Sequence, residues 1–129
     1  MLQTFNLLVV LRFIAGGLIA AHGIYRILFL KQYTNYVSET FDYILPFKGL
    51  FEALIVVFPF VEFFVGSLLI LNIAAKESIK LGVLITLIIM FFLILNGPSV
   101  HMFYHILTLG ILYALARVNK QRFISNSEL

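Results

Sequence analysis

The chain has 129 residues, 62% of them hydrophobic and only 12% charged, with a mean hydropathy of +1.06 and a formal charge of +3. That composition excludes a soluble domain and describes an integral membrane protein built as a single domain over residues 1–129. With no cysteine, disulfide exchange, thiolate catalysis and cysteine ligation of zinc or iron–sulfur clusters are excluded, and the small positive excess gives no nucleic-acid footprint.

The first apolar run, about residues 5–30, contains Arg12, Gly16, Gly17, His22, Gly23 and Arg26. It predicts a spanning helix. A cleaved signal peptide is not expected, because Arg12 interrupts what would be the apolar region and no basic residue precedes it. At 100° per residue, Arg12, His22 and Arg26 fall within about 80° of one another, so all three can face one interior. Arg26 is equally readable as a residue snorkelling to the membrane surface.

Residues 31–48 form the one sizeable connection, mixing polar residues with Tyr33, Tyr36, Phe41, Tyr43 and Phe47. Rings with a wet end belong at the headgroup level. The segment reads as an interfacial loop containing a short helix opened by Ser38 or Thr40, with Pro46 leading into the second span; a lid over a substrate is the alternative.

The second span, about residues 49–75, carries Glu52 and, near its middle, Glu62. An ionised acid near the bilayer midplane costs several kcal/mol unless it is compensated. Pro59 frees the carbonyl of Ile55 and predicts a kink, and Gly66 leaves room for another helix to approach. Phe58, Phe60, Phe63 and Phe64 surround Glu62 and read either as the wall of an apolar pocket or as lipid-facing bulk.

Lys76, Glu77, Ser78 and Lys80 make a charged turn before a third span, about residues 79–95, which is apolar nearly all round. That span reads as lipid-facing or supportive, with Thr86 too weak a signal to interpret. Asn96, Gly97, Pro98 and Ser99 break one helix and start the next. The fourth span covers about residues 99–118, and the polar tail from Asn119 reads as frayed.

Together these elements predict an all-α, antiparallel four-helix transmembrane bundle. Lys76, Lys80, Arg117, Lys120 and Arg122 share one side, against Lys31, Lys48 and Arg26 on the other, so both termini are expected to be cytoplasmic.

Sorted by depth, His22, Arg26, Glu52, His101, Tyr104 and His105 fall in the outer half, with Glu62 near the midplane and Arg12 about one turn below it. A buried Arg12–Glu62 pair is therefore expected to floor a polar cavity lined by the histidines and Glu52. His101 and His105, four apart, project from one face with Tyr104 and Thr108. Three readings stay open for the histidines: imidazoles satisfied within the bundle, contacts to a quinone-like amphipathic ligand, or haem and metal ligation. A bis-histidine haem would need His22 as its second ligand, and the glutamate that a zinc protease motif requires after the first histidine is missing. No metal-ligand set is assigned. A phosphate loop, nucleotide fingerprint or nucleophile elbow is likewise absent from the sequence.

Leu11-Arg12, Gly16-Gly17 and His22-Gly23-Ile24-Tyr25-Arg26 resemble the opening of DoxX and DoxX-like proteins. Pro59, Glu62 and Gly66-Ser67-Leu68-Leu69 resemble that family's Pro-x-x-Glu-x-x-x-Gly element before a leucine run. Arg26 stands where many members have lysine, and the fourth-span histidines match no family-wide motif. The resemblance covers the whole four-span layout. It implies a bacterial inner-membrane protein tied to thiosulfate:quinone oxidoreduction or to oxidative-stress complexes with soluble redox partners.

The leading expectation is a membrane subunit of an oxidoreductase system that binds a quinone-like ligand. Glu62 and Arg12 would set the cavity's charge, and His22, His101 or His105 would handle protons. The alternatives are a non-catalytic adaptor or assembly protein, and a lipid or small-hydrophobe carrier or modifying enzyme using Glu62 as an acid. Besides the lipid bilayer, a redox partner protein or a further copy of the chain is compatible with so small a bundle.

Overall fold

The computed structural model describes residues 2–41, 43, 48–97 and 99–127, with side chains described between residues 6 and 120. Pro46, Phe47, Pro98 and the side chain of Arg122 lie outside the described residues. The elements are α1 (Leu2–Leu28), α2 (Leu30–Phe41), α3 (Lys48–Leu71), α4 (Ala75–Asn96) and α5 (Val100–Ser127). All but α2 are long and apolar enough to cross a membrane, over Asn6–Leu28, Lys48–Leu71, Ala75–Asn96 and Val100–Lys120. The four-helix bundle read from the sequence is the observed fold.

α1 packs on α3 and α5, and α4 packs on the same two helices. The main apolar core lies toward the α1 N-terminal half, where Leu8, Ala15, Ile19, Leu69, Ile79, Leu112 and Leu115 are buried together. The α1–α3 seam is the tightest in the bundle. A Cβ added at Gly16 would lie 2.7 Å from the Gly66 carbonyl oxygen, and one at Gly23 would lie 2.5 Å from the Phe63 nitrogen and 2.8 Å from the Pro59 carbonyl oxygen. Small residues let two backbones approach where apolar burial gives no driving force between helices in lipid. These contacts also fix the register: Gly16 lies beside Gly66 and Ile70, and Gly23 beside Pro59 and Phe63. Helix α3 runs unbroken through Pro59.

The expected loop after the first span is instead mostly helix. α2 begins at Leu30, eight residues earlier than Ser38, and follows α1 after the single residue Phe29. The Phe29 N–H donates to the Tyr25 carbonyl (3.1 Å) and the Tyr33 N–H to the Phe29 carbonyl (2.9 Å), so the helical ladder is carried across the junction. No Gly or Pro lies between Leu30 and Phe41 to stop it. Tyr33, Val37 and Phe41 recur every four residues and pack with Phe51, Ile55 and Phe92. This places α2 across the α3 N-terminal turns and the far end of α4, where Asn96 Nδ2 donates to the Tyr36 hydroxyl (2.8 Å).

The second span ends at Leu71 rather than near Ala75 because Asn72 adopts a left-handed conformation (φ 59°). Its N–H donates to the Leu69 carbonyl (3.2 Å), and the Ile73 N–H donates to the Leu68 carbonyl (3.0 Å), the paired bonds of a Schellman motif. Asparagine tolerates this conformation where a β-branched residue does not. Asn72→Val should therefore lower stability by about 1 kcal/mol and Asn72→Gly should not, as read from thermal unfolding in detergent. Gly97, at φ 97°, closes α4 with its N–H on the Ile94 carbonyl (3.2 Å). The tail expected to fray from Asn119 continues α5 to Ser127. It contains no Gly or Pro, and its Lys, Gln and Arg are good helix formers.

Candidate functional site

The small-residue seam brings one carboxylate of α3 against two bases of α1. Gly23 and Pro59 pack backbone to backbone, and Glu62, one turn beyond Pro59, faces His22 and Arg26 on either side of that contact. Glu62 is only 1% exposed. Its Oε1 lies 3.0 Å from His22 Nδ1, and its Oε2 accepts a hydrogen bond from an Arg26 Nη at 2.9 Å. Both carboxylate oxygens are thus engaged, by a charge-assisted bond on one side and an imidazole on the other. This answers the cost of burying an acid at that depth.

Arg12 does not take part. It lies ten residues before His22, about 15 Å along the helix axis at 1.5 Å per residue. The observed register sets it beyond Gly16, toward the α3 C-terminus, instead of opposite Glu62. Arg12 is buried, and its Nε has no hydrogen-bond partner among the described residues. The expected Arg12–Glu62 pair is replaced by Arg26–Glu62, and Arg26 is a core partner rather than a snorkelling residue. Angular position on a helix put all three bases on one face, but only the axial register decides which of them reaches the acid.

α5 supplies the next layer. The His105 ring meets the His22 ring edge-on, with centroids 5.0 Å apart. The Tyr104 ring lies 5.5 Å from His22, and its hydroxyl donates to the Leu18 carbonyl at 2.6 Å. Thr108 Oγ1 donates to the Tyr104 carbonyl (2.8 Å) and Thr86 Oγ1 to the Gly82 carbonyl (2.7 Å), so both buried hydroxyls are satisfied within their own helices. These groups enclose a cavity of about 10 Å³ lined by His22, Glu62, Thr86, Tyr104, His105 and Thr108, with apolar walls from Ile19, Ile85 and Ile89. It has room for about one water molecule. A quinone ring does not fit there. Nor does a haem between His22 and His105, whose rings are already in edge contact.

The cavity is therefore walled by four helices, with the third span contributing Thr86, Ile85 and Ile89 instead of facing only lipid. Thr86 was the residue whose signal was too weak to read: a lone threonine in an apolar helix has no periodic partner to reveal its face. His101, one turn before His105, is exposed on the first turn of α5 and does not join the cluster. Glu52 is also exposed and lines a separate groove between α2 and α3. Phe60, Phe63 and Phe64 are exposed on the lipid-facing side, so they do not wall a pocket around Glu62. Among the described residues no group of three His, Asp or Glu side chains is placed to hold a metal ion.

The residue that sequence reasoning missed is Tyr33 of α2. The Arg26 guanidinium lies 4.8 Å from the centre of its ring, a cation–π contact that covers the Arg26–Glu62 pair on the α2 side. Burial raises the Tyr33 pKa above the ordinary 10.0, against the lowering influence of Arg26, while the Glu62 charge raises it further. With the folded pKa above the unfolded one, the unfolded chain loses this proton first, so stability is present below pH 10.0 and falls as pH climbs above it. Tyr33→Phe should remove that alkaline loss while leaving the stability at neutral pH nearly unchanged, as measured by unfolding across the alkaline range.

No protein-family model, no curated protein and no solved structure matches this chain.

Proposed function

We propose that the chain is a proton-exchanging membrane subunit of an oxidoreductase-type system, with its termini on the cytoplasmic side of a bacterial inner membrane. One observation carries the reading: a fully buried carboxylate bonded to an imidazole that is in turn in contact with a second imidazole, beside a cavity the size of one water. Imidazole is the side chain suited to taking up and releasing a proton near neutral pH. Arg26 holds the carboxylate in place and supplies the fixed positive charge, so a proton arriving at His22 has an ordered acceptor on one side and His105 on the other. The likeness to DoxX proteins supports the redox setting. The quinone-like ligand which that likeness implies has no room beside Glu62, so no step is assigned to it.

The test is the protonation of the three histidines by nitrogen NMR of ring-labelled protein in lipid discs, followed between about pH 5 and 8. His22 should change its protonation or tautomer in that range, and Glu62→Gln should move the transition. A His22 signal fixed across the range would contradict the proposal.

The small cavity favours a second reading, in which the cluster only fixes helix register in a non-catalytic adaptor or assembly protein. The Glu62 carboxylate and the Tyr104, Thr86 and Thr108 hydroxyls around it are satisfied by neighbours without any ligand. In that case Glu62→Gln combined with Arg26→Gln should preserve function whenever the fold survives.

A further inference from the structure

A groove of about 240 Å³ lies between α2 and the first turns of α3, open at the bundle surface and lined by Thr34, Asn35, Ser38, Glu52, Ile55 and Val56. Its two walls are each one helix face, 34, 35 and 38 on α2 and 52, 55 and 56 on α3. The α2 wall is entirely polar. The α3 wall has the Glu52 carboxylate above Ile55 and Val56, so the groove is wet at one end and apolar at the other.

Its position matters as much as its lining. α2 is amphipathic and joins the end of a spanning helix, with Tyr33, Val37 and Phe41 turned into the bundle and the polar residues turned out. Such a helix belongs at the membrane–water boundary, where headgroups lie. Exposed Leu50, Leu54 and Val57 continue the α3 surface beside the groove.

The charges are complementary to a zwitterion. Glu52 is exposed and has no hydrogen-bond or ion-pair partner among the described residues. Lys31, one turn before Asn35 on the same α2 face, is exposed and equally without a partner. Between them, the Asn35 amide and the Ser38 hydroxyl have donors to spare, whereas Thr34 already donates to the Lys31 carbonyl at 3.1 Å. We propose that the α2–α3 groove binds the headgroup of a phosphatidylethanolamine-type lipid. The primary ammonium meets Glu52, the phosphate meets Lys31, Asn35 and Ser38, and the acyl chains run along Ile55 and Val56. A carboxylate accepts hydrogen bonds from a primary ammonium and cannot from a quaternary one, so the groove distinguishes ethanolamine from choline. A purely anionic glycerol headgroup leaves Glu52 opposed by like charge.

The experiment is native mass spectrometry of the full chain, purified in detergent and offered equal amounts of phosphatidylethanolamine, phosphatidylcholine and phosphatidylglycerol. The wild-type chain should retain phosphatidylethanolamine over either competitor by about threefold, the scale of one exposed charge pair. Glu52→Gln should reduce that preference and Lys31→Gln should lower retention of all three lipids through their shared phosphate, both at unchanged melting temperature, and Glu39→Gln, outside the groove on α2, should do neither. Equal retention of the three lipids, a preference for phosphatidylglycerol, or a preference that survives Glu52→Gln would overturn the proposal. So would displacement of the retained lipid by a short-tailed naphthoquinone, which would give the groove to a different ligand.

Discussion

Gly66→Leu should cost ~3 kcal/mol or more and leave little folded protein in detergent. A Cβ at this position would strike the backbone nitrogen and Cα of Ala20 and lie 2.7 Å from the Gly16 carbonyl oxygen. None of these is the end of a flexible side chain. α1 and α3 would have to separate along the whole seam, and that separation would pull His22 and Arg26 away from Glu62. Gly17 and Gly110, where an added Cβ would meet nothing within 4 Å, provide the internal comparison. Gly110→Leu should be tolerated, because it only adds apolar surface toward lipid. Thermal unfolding of the three proteins side by side checks this, and equal melting of Gly66→Leu and wild type would contradict the seam.

Glu62→Leu is the second large effect. It leaves the Arg26 guanidinium and the His22 ring facing each other with no acceptor between them, in a region sealed by Tyr33, Tyr104 and His105. Breaking a buried pair from one side costs ~3–5 kcal/mol. Because the Arg26 side chain keeps 16% exposure, it can bend toward the surface, and the lower part of that range is expected here. Glu62→Gln keeps the shape and one acceptor oxygen, and should cost about half as much. Adding Arg26→Gln to Glu62→Leu should restore part of the lost stability by removing the orphaned charge. Unfolding in detergent at neutral pH separates these three outcomes.

How far the sequence reached is clearest at the α1–α3 seam. Glu62 as the centre of a polar interior was legible because a carboxylate in a long apolar run has no inexpensive alternative. The close helix approach was legible from Gly66, four residues past it. The partner was not, since helical angles say which residues share a face but nothing of how far one helix slides along another. That slide is set by Gly16, Ala20 and Gly23 fitting against Pro59, Phe63 and Gly66, a property of two surfaces together. His101 and His105 illustrate the same limit on one helix: four-residue spacing aligned them, yet the bundle covers only His105. α2 was hidden for another reason. Its polar residues outnumber the apolar ones, so the Tyr33, Val37, Phe41 stripe was masked by composition that reads as loop. Thr86 and the small cavity depend on four helices converging, which no single segment records.

The measurement that tests the account most directly is a pair of double-mutant cycles on thermal stability in detergent, one joining Arg26 to Glu62 and the other Arg12 to Glu62, using glutamine at each position. Residues in contact should couple by ~1 kcal/mol or more, and residues with no shared partner should be additive within ~0.5 kcal/mol. The structure predicts clear coupling for Arg26–Glu62, whose atoms lie 2.9 Å apart, and additivity for Arg12–Glu62. Coupling of Arg12 to Glu62 with additivity at Arg26 would contradict the register, and with it the cluster from which the proton-exchange proposal is built.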